Sequence, residues 1–285
     1  MVRCLAGMDK TMDIESKKAR LKANLAQYDN LLVAFSGGVD STLLAVMARR
    51  VIGPDVVALT AASPIQPPRE IQRARRLAED FDLRHIVLPS QEMAHQDFVA
   101  NRPDRCYVCK GLLFEEIFKY AHNLGIDNVA HGANLDDLKD YRPGLRAADE
   151  MGVLSPLIEE AFTKDDIRRL ARHLGLPNWN QAAAACLASR IPYGEAITEH
   201  ALKMVARAEE ILQDMGFVIC RVRHHGKVAR IEVPVVDIER LVHEPVRARI
   251  VDHLRAIGYV HVAVDMEGYQ LGSLNRGIAI EDRRE

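Results

Sequence analysis

The chain has 285 residues, 48% apolar and 27% charged, the balance of an ordinary soluble globular protein. At roughly 150 residues per domain, that length suits one large domain or two modest ones. Thirty-eight basic against forty acidic side chains leave a net charge of −2, which argues against a general nucleic-acid binder. No apolar run reaches the roughly 18 residues that cross a bilayer, and Met1 to Lys10 lacks the apolar core of a secretory signal. A cytoplasmic protein with no membrane partner is expected. In a reducing compartment the five cysteines, Cys4, Cys106, Cys109, Cys186 and Cys220, point to metal binding or catalysis before disulfides.

Met12 to Tyr28 has apolar residues at helical spacing and predicts an opening helix. Leu31 to Phe35 is a short apolar run ending at Ser36-Gly37-Gly38, which predicts a buried strand and a turn. A helix follows over Asp40 to Arg50 and a strand over Val56 to Thr60. Pro68 to Asp80 predicts a helix with proline in its first turn, where the missing N–H costs nothing. His85 to Leu88 is a third strand. Tyr107 to Leu124 is a long helix stopped by Gly125, and Asn128 to His131 a fourth strand. Thr163 to Leu174 is a helix capped by Thr163 and stopped by Gly175. This alternation predicts an α/β fold with a doubly wound parallel sheet.

Near Ile191 the pattern changes. A helix over Glu199 to Met215 leads to strands over Phe217 to Arg223 and Val228 to Val233. A long helix over Ile238 to Ile257 and a strand over Val260 to Asp265 complete the run. The order suggests a smaller α+β domain, so the division is drawn as 1–194 and 195–285. The tail from Gly272 to Glu285 carries no strong pattern.

Ser36-Gly37-Gly38-Val39-Asp40-Ser41 stands between a strand and a helix. Two glycines allow close backbone approach, amide N–H groups point outward, and the helix N-terminus adds partial positive charge. The Ser36 and Ser41 hydroxyls can donate to phosphate oxygens. No lysine follows as in the usual NTPase loop. SGGVDS resembles the PP-loop of ATP pyrophosphatases, which cleave ATP between its α- and β-phosphates and adenylate a substrate. The resemblance implies ATP and Mg²⁺. Asp40 is then a candidate Mg²⁺ ligand as well as a helix cap, and Thr60 at the end of the second strand a candidate adenosine contact.

Cys106 and Cys109 form a C-x-x-C at the entry to a helix, whose N-terminus lowers thiol pKa. Cys186 lies far downstream. Three thiolates suit a [4Fe–4S] cluster with one open iron; zinc, for which no fourth ligand stands out, a redox pair and plain burial remain open. Cys4 and Cys220 receive no role. Arg190, beside Cys186, suits a phosphate or an ion pair with Asp136 or Asp137. Those two carboxylates suit Mg²⁺, ribose or helix capping. Arg221 and Arg223 share a strand face among His224, His225, Lys227 and Arg230, and suit a substrate phosphate or a solvated face. Glu232 and Asp237 suit a metal or a neighbouring subunit but read first as surface charge, and Trp179 reads as a packing residue before a stacking one.

After SGGVDS, in order, come Asn101-Arg102, Arg105-Cys106-Tyr107-Val108-Cys109-Lys110, Gly132-Ala133-Asn134-Leu135-Asp136-Asp137, Asp140-Tyr141-Arg142-Pro143-Gly144, and Cys186-Leu187-Ala188-Ser189-Arg190-Ile191-Pro192-Tyr193-Gly194. The ordered set, over roughly residues 15 to 265, resembles the LarE family of ATP-dependent sulfur transferases. The resemblance implies adenylation of a carboxylate of pyridinium-3,5-biscarboxylic acid mononucleotide and its conversion to a thiocarboxylate for the nickel-pincer cofactor of lactate racemase. It implies a homo-oligomer, with a hexamer the expected form, and leaves the sulfide donor open. One branch sacrifices the cysteine matching Cys186. Cys106, Cys109 and Cys186 match the other branch, in which three cysteines hold a [4Fe–4S] cluster. Asn180-Gln181-Ala182 replaces an expected Asp-Lys-Pro, and Phe162 an expected Gly. A tRNA thiolase, a nucleotide-binding protein without catalysis, and an amidotransferase-type synthetase such as an NAD or GMP synthase are the competing readings.

Overall fold

The computed structural model describes residues 13–139, 142–182 and 185–270. Cys4, Asp140, Tyr141 and the tail from Gly272 lie outside the described residues. In chain order the elements are α1 (Ile14–Leu25), β1 (Leu31–Ala34), α2 (Val39–Ile52), β2 (Val56–Ala62), α3 (Pro68–Asp80), β3 (Arg84–Pro89), α4 (Gln96–Val99), α5 (Arg105–Asn123), β4 (Val129–His131), α6 (Pro143–Glu150), α7 (Pro156–Glu159), α8 (Lys164–His173), α9 (Glu199–Asp214), β5 (Arg221–His225), β6 (Val228–Glu232), α10 (Val235–Val242), α11 (Val246–Ile257) and β7 (His261–Val264). Short 3₁₀ turns cover Leu135–Lys139 and Leu187–Arg190.

The chain forms two compact units. The first gathers Met1–Ala61, Ile71–Leu88 and Phe114–Gln181, and the second Ala62–Glu70, Pro89–Leu113 and Ala182–Glu285. A four-stranded sheet runs in the order β3-β2-β1-β4, with β1 parallel to β2 and to β4. The fold class is therefore α/β, as the alternation of strands and helices predicts. Strand order reverses between β1 and β4, and a crevice at the carboxyl ends of such strands is where open α/β sheets bind ligands. The segment leaving β1 at that point is Ser36 to Ser41. Fully buried Leu31, Val33, Val56 and Ala58 from the strands pack with Leu43, Leu44 and Met47 of α2 and Ile167, Leu170 and Ala171 of α8. Trp179 packs against this core, with the Arg172 guanidinium 5.0 Å from its ring centre.

In the second unit β5 pairs antiparallel with β6, and β6 parallel with β7. Met204, Ala208 and Leu212 of α9 and Ile250 and Leu254 of α11 pack with Val222, Ala229 and Ile231 of its strands. Two expectations need correction. The strand expected over Phe217 to Arg223 is β5, because the tight Gly226-Lys227 turn pairs His225 with Val228 and so fixes Arg221 opposite Glu232. Cys220 thus lies just before the strand, fully buried. The helix expected over Ile238 to Ile257 is two, α10 and α11. Proline cannot donate a helical hydrogen bond and disfavours helical geometry in the residue before it, and the chain breaks at His243-Glu244-Pro245.

Candidate functional site

The phosphate loop is held open by its own side chains. Gly37 has φ +71°, and a Cβ there would lie 3.0 Å from Ala74 Cα; glycine alone adopts that backbone freely. The Ser36 and Ser41 hydroxyl oxygens are 3.1 Å apart, and the Gly38 amide donates to Ser36 Oγ at 3.3 Å. Thr42 Oγ1 donates to the Gly38 carbonyl, and Asn178 Nδ2 to the Gly37 carbonyl and to Thr42 Oγ1. Gly132, after β4, presses on the same turn: a Cβ there would lie 2.7 Å from Ser41 N.

Asp40, at the start of α2, meets Lys164, whose Nζ lies 2.8 and 2.6 Å from its two carboxylate oxygens. Burial raises the Asp40 carboxyl above its ordinary range. Lys164 opposes that shift and the neighbouring Asp137 charge adds to it. The loop itself carries no lysine, yet folding delivers one from the first residue of α8. The signal was Thr163: its side chain caps α8 and forms a capping box with Asp166, which places Lys164 at the helix entry. Asn178 gave no local signal.

Asp136 accepts from the Lys164 amide at 2.8 Å and from Lys139 Nζ at 2.6 Å, and these partners, Lys139 first, lower its carboxyl. Asp137 accepts from the Asn134 amide and pairs with Arg142 at 2.7 Å. The Thr60 hydroxyl donates to the Phe35 carbonyl at 2.6 Å and lies 2.8 Å from His85 Nε2. Its one proton being committed, His85 Nε2 donates to it. Burial, helped by Arg75, lowers the His85 pKa, which favours that neutral tautomer.

Cys106, Cys109 and Cys186 are free thiols, half-buried, in the second unit. The neighbouring Cys186 adds to the rise in thiol pKa at both Cys106 and Cys109. Contrary to the expectation of lowered values at the helix entry, burial pushes the Cys106 thiol up and the Cys109 thiol up to about 12. Desolvation is the largest cause at both thiols, ahead of the lowering by Arg105 at Cys106 and by Lys110 at Cys109. Among the described residues no three His, Cys, Asp or Glu side chains stand together in a metal-holding arrangement. Burial likewise pushes the Cys220 thiol up to about 12.

Arg190, Arg221 and Arg223 are each engaged within the fold. Arg190 does not meet Asp136 or Asp137. It forks onto Glu209 at 2.8 and 2.9 Å and donates to the carbonyls of Ala185 and Cys186. Arg223 forks onto Glu232 at 2.9 and 2.7 Å and donates to the Ser189 carbonyl. Glu232 is thus a buried ion-pair partner, not surface charge. Arg221 donates to the Cys220 carbonyl at 2.7 Å and lies over the Tyr269 ring. Burial, with the Arg190 charge beside it, lowers its guanidinium pKa. Glu209, the carboxylate paired with Arg190, opposes that shift.

The NAD synthase family model matches residues 14–104. The uncharacterized protein slr1717 of Synechocystis sp. is 42% identical over 92% of this chain and 98% of its own length. The pyridinium-3,5-bisthiocarboxylic acid mononucleotide synthase of Lactiplantibacillus plantarum is 37% identical over 92% of this chain and 95% of its own. A glutamine-hydrolyzing GMP synthase of Aeropyrum pernix is 27% identical over 70% of this chain and 41% of its own.

Proposed function

Because the chain belongs to the LarE family, to which the Lactiplantibacillus synthase also belongs, we propose that it adenylates a carboxylate of pyridinium-3,5-biscarboxylic acid mononucleotide and converts it to a thiocarboxylate, for the nickel-pincer cofactor of lactate racemase. The carrying observation is the 37% identity over 95% of that synthase.

ATP with Mg²⁺ is assigned to the loop of Ser36, Gly37, Gly38 and Ser41. The carboxylate attacks the α-phosphate and pyrophosphate leaves. Outward amides and hydroxyls at a helix N-terminus stabilise that departing charge. Asp40, with Asp137 near it, is assigned to Mg²⁺, and Lys164 to the phosphates it reaches once Asp40 turns to the metal. Asp136 braces the start of α8, and Thr60 with His85 lines the adenosine side. Arg221 is assigned to the substrate phosphate. Arg190 and Arg223 are assigned to holding the Cys186 turn that their hydrogen bonds reach.

Cys106, Cys109 and Cys186 are the thiols that would hold a [4Fe–4S] cluster, since three soft donors leave one iron open. When bound, that group supplies a sulfide to displace AMP from the acyl-adenylate. A second reading makes Cys186 its own sulfur donor. We further propose that residues 195–285 carry substrate binding and self-association. Val236 and Met266 there are 87% and 82% exposed, and a homo-oligomer covers such groups; sedimentation of the full chain tests this.

The chain with ATP, Mg²⁺ and the pyridinium dicarboxylate is expected to release pyrophosphate and yield a product in which sulfur replaces oxygen. No pyrophosphate and no such product, with sulfide present, overturns the proposal. Iron and acid-labile sulfide after anaerobic purification, with Cys106→Ala beside the parent, separate the two sulfur sources. About four irons per chain, lost in the variant, support the cluster. Iron-free protein that loses the Cys186 sulfur on turnover supports the sacrificial route.

A further inference from the structure

Arg105 begins α5 next to Cys106 and is 2% exposed. A buried cation is costly unless paired with an opposite charge and fully hydrogen-bonded. Arg105 has neither among the described residues. Its Nη1 donates to the Asn101 side-chain oxygen, a neutral acceptor. Its guanidinium stacks 4.7 Å from the centre of the Tyr193 ring, and its charge acts on the adjoining Cys106 thiol. Its Nε, also buried, has no hydrogen-bond partner. The other buried arginines nearby, Arg190 and Arg223, each have a forked carboxylate.

The cation is also fixed in place. Asn101 is fully buried with φ +54°, a left-handed backbone that asparagine tolerates better than most residues. Its Nδ2 donates to the carbonyls of Pro192 at 2.7 Å and Glu195 at 2.8 Å. Asn101 O accepts from the Gly194 amide at 3.1 Å. The Asn101 side chain therefore ties the segment carrying Arg105 and Cys106 to the segment that follows Cys186. A preorganised guanidinium with an unfilled donor, adjoining Cys106, is a receptor for an anion.

We propose that Arg105 forms a binding site for a small monovalent anion beside Cys106, and that hydrosulfide is the anion it takes during sulfur loading. The choice of hydrosulfide rests on the sulfur-transfer reading; the anion site does not.

Alkylation of the reduced, metal-free full chain tests the site without ATP, substrate or cluster. Iodoacetate is an anion and iodoacetamide its neutral counterpart, so their ratio at Cys106, read by peptide mass spectrometry, reports a cation that holds the reagent. Iodoacetate is expected to react at least tenfold faster than iodoacetamide, with saturation, and to be competed by thiocyanate. Arg105→Met is expected to bring the ratio near that of a free thiol, and Arg105→Lys to retain part of it. Asn101→Asp, which supplies the missing carboxylate, is expected to act like Arg105→Met. A parent chain with no iodoacetate preference, or a preference unchanged in Arg105→Met, overturns the site. With the site established, sulfide that fails to compete with iodoacetate overturns hydrosulfide as its ligand.

Discussion

Burial and Lys164 pull the Asp40 carboxyl in opposite directions, and burial wins. A carboxyl raised in the fold stabilises the protein when protonated. Its contribution is full below the unfolded value near 3.8 and is lost as pH climbs through the higher folded value. Metal binding needs the ionised form, so the acid limb of Mg²⁺-ATP affinity is expected above the ordinary carboxylate range. Lys164→Met removes the charge that holds the value down, and the limb is expected to move to higher pH. ATP titrations from pH 4 to 8 check this, and a limb that stays or moves down rejects the pairing of Asp40 with the metal. Ser36 to Ser41 were legible in the sequence because they are contiguous. Lys164 and Asn178 were not, since their contacts with the loop span 124 and 141 residues of chain. The rise in thiol pKa was missed for a related reason: a helix entry is visible locally, whereas the burial of Cys109 comes from a cluster that includes Ile65, Leu187 and Ile197.

At the scale of elements, α3 was legible to the residue and β1, β2 and β4 nearly so, because periodicity and glycine or proline stops act locally. The short α4, α6 and α7 were not, since a turn or two carries too few residues to show a period. Register was missed in β5 because the hairpin turn sets it. Gly132 links element to site. Its neighbour His131 closes β4, and Gly132 has no room for a methyl beside Ser41 N. Gly132→Ala is expected to displace the loop and weaken ATP binding tenfold or more, about 1.4 kcal/mol, while the second unit keeps its secondary structure. Thr163→Ala removes the α8 cap and is expected to cost about 1 kcal/mol in thermal unfolding. It also loosens the footing of Lys164, so a lower ATP affinity accompanies it. Unaltered ATP binding in both variants separates these elements from the phosphate loop.

For the whole molecule, the phosphate loop belongs to the first unit and all three thiols of interest to the second. Chain order did not reveal this grouping. Residues 62–70 and 89–113 join the second unit across intervening β strands, and the pairing of Leu187 N with the Ile65 carbonyl at 2.7 Å shows how. Under the proposed function this grouping divides the chemistry, with adenylation assigned to Asp40 and sulfur delivery to Cys186. Cys186→Ala is therefore expected to release pyrophosphate with the pyridinium substrate and form no thiocarboxylate, leaving an acyl-adenylate that water or hydroxylamine captures. Asp40→Ala is expected to do the reverse, losing pyrophosphate release by a hundredfold or more, about 2.7 kcal/mol in the barrier, with its thiol titre and alkylation pattern unchanged. If Cys186→Ala also stops pyrophosphate release, Cys186 takes part in activating the substrate and the division fails. If Cys186→Ala still forms thiocarboxylate, the sulfur reaches the adenylate by a route that bypasses this cysteine.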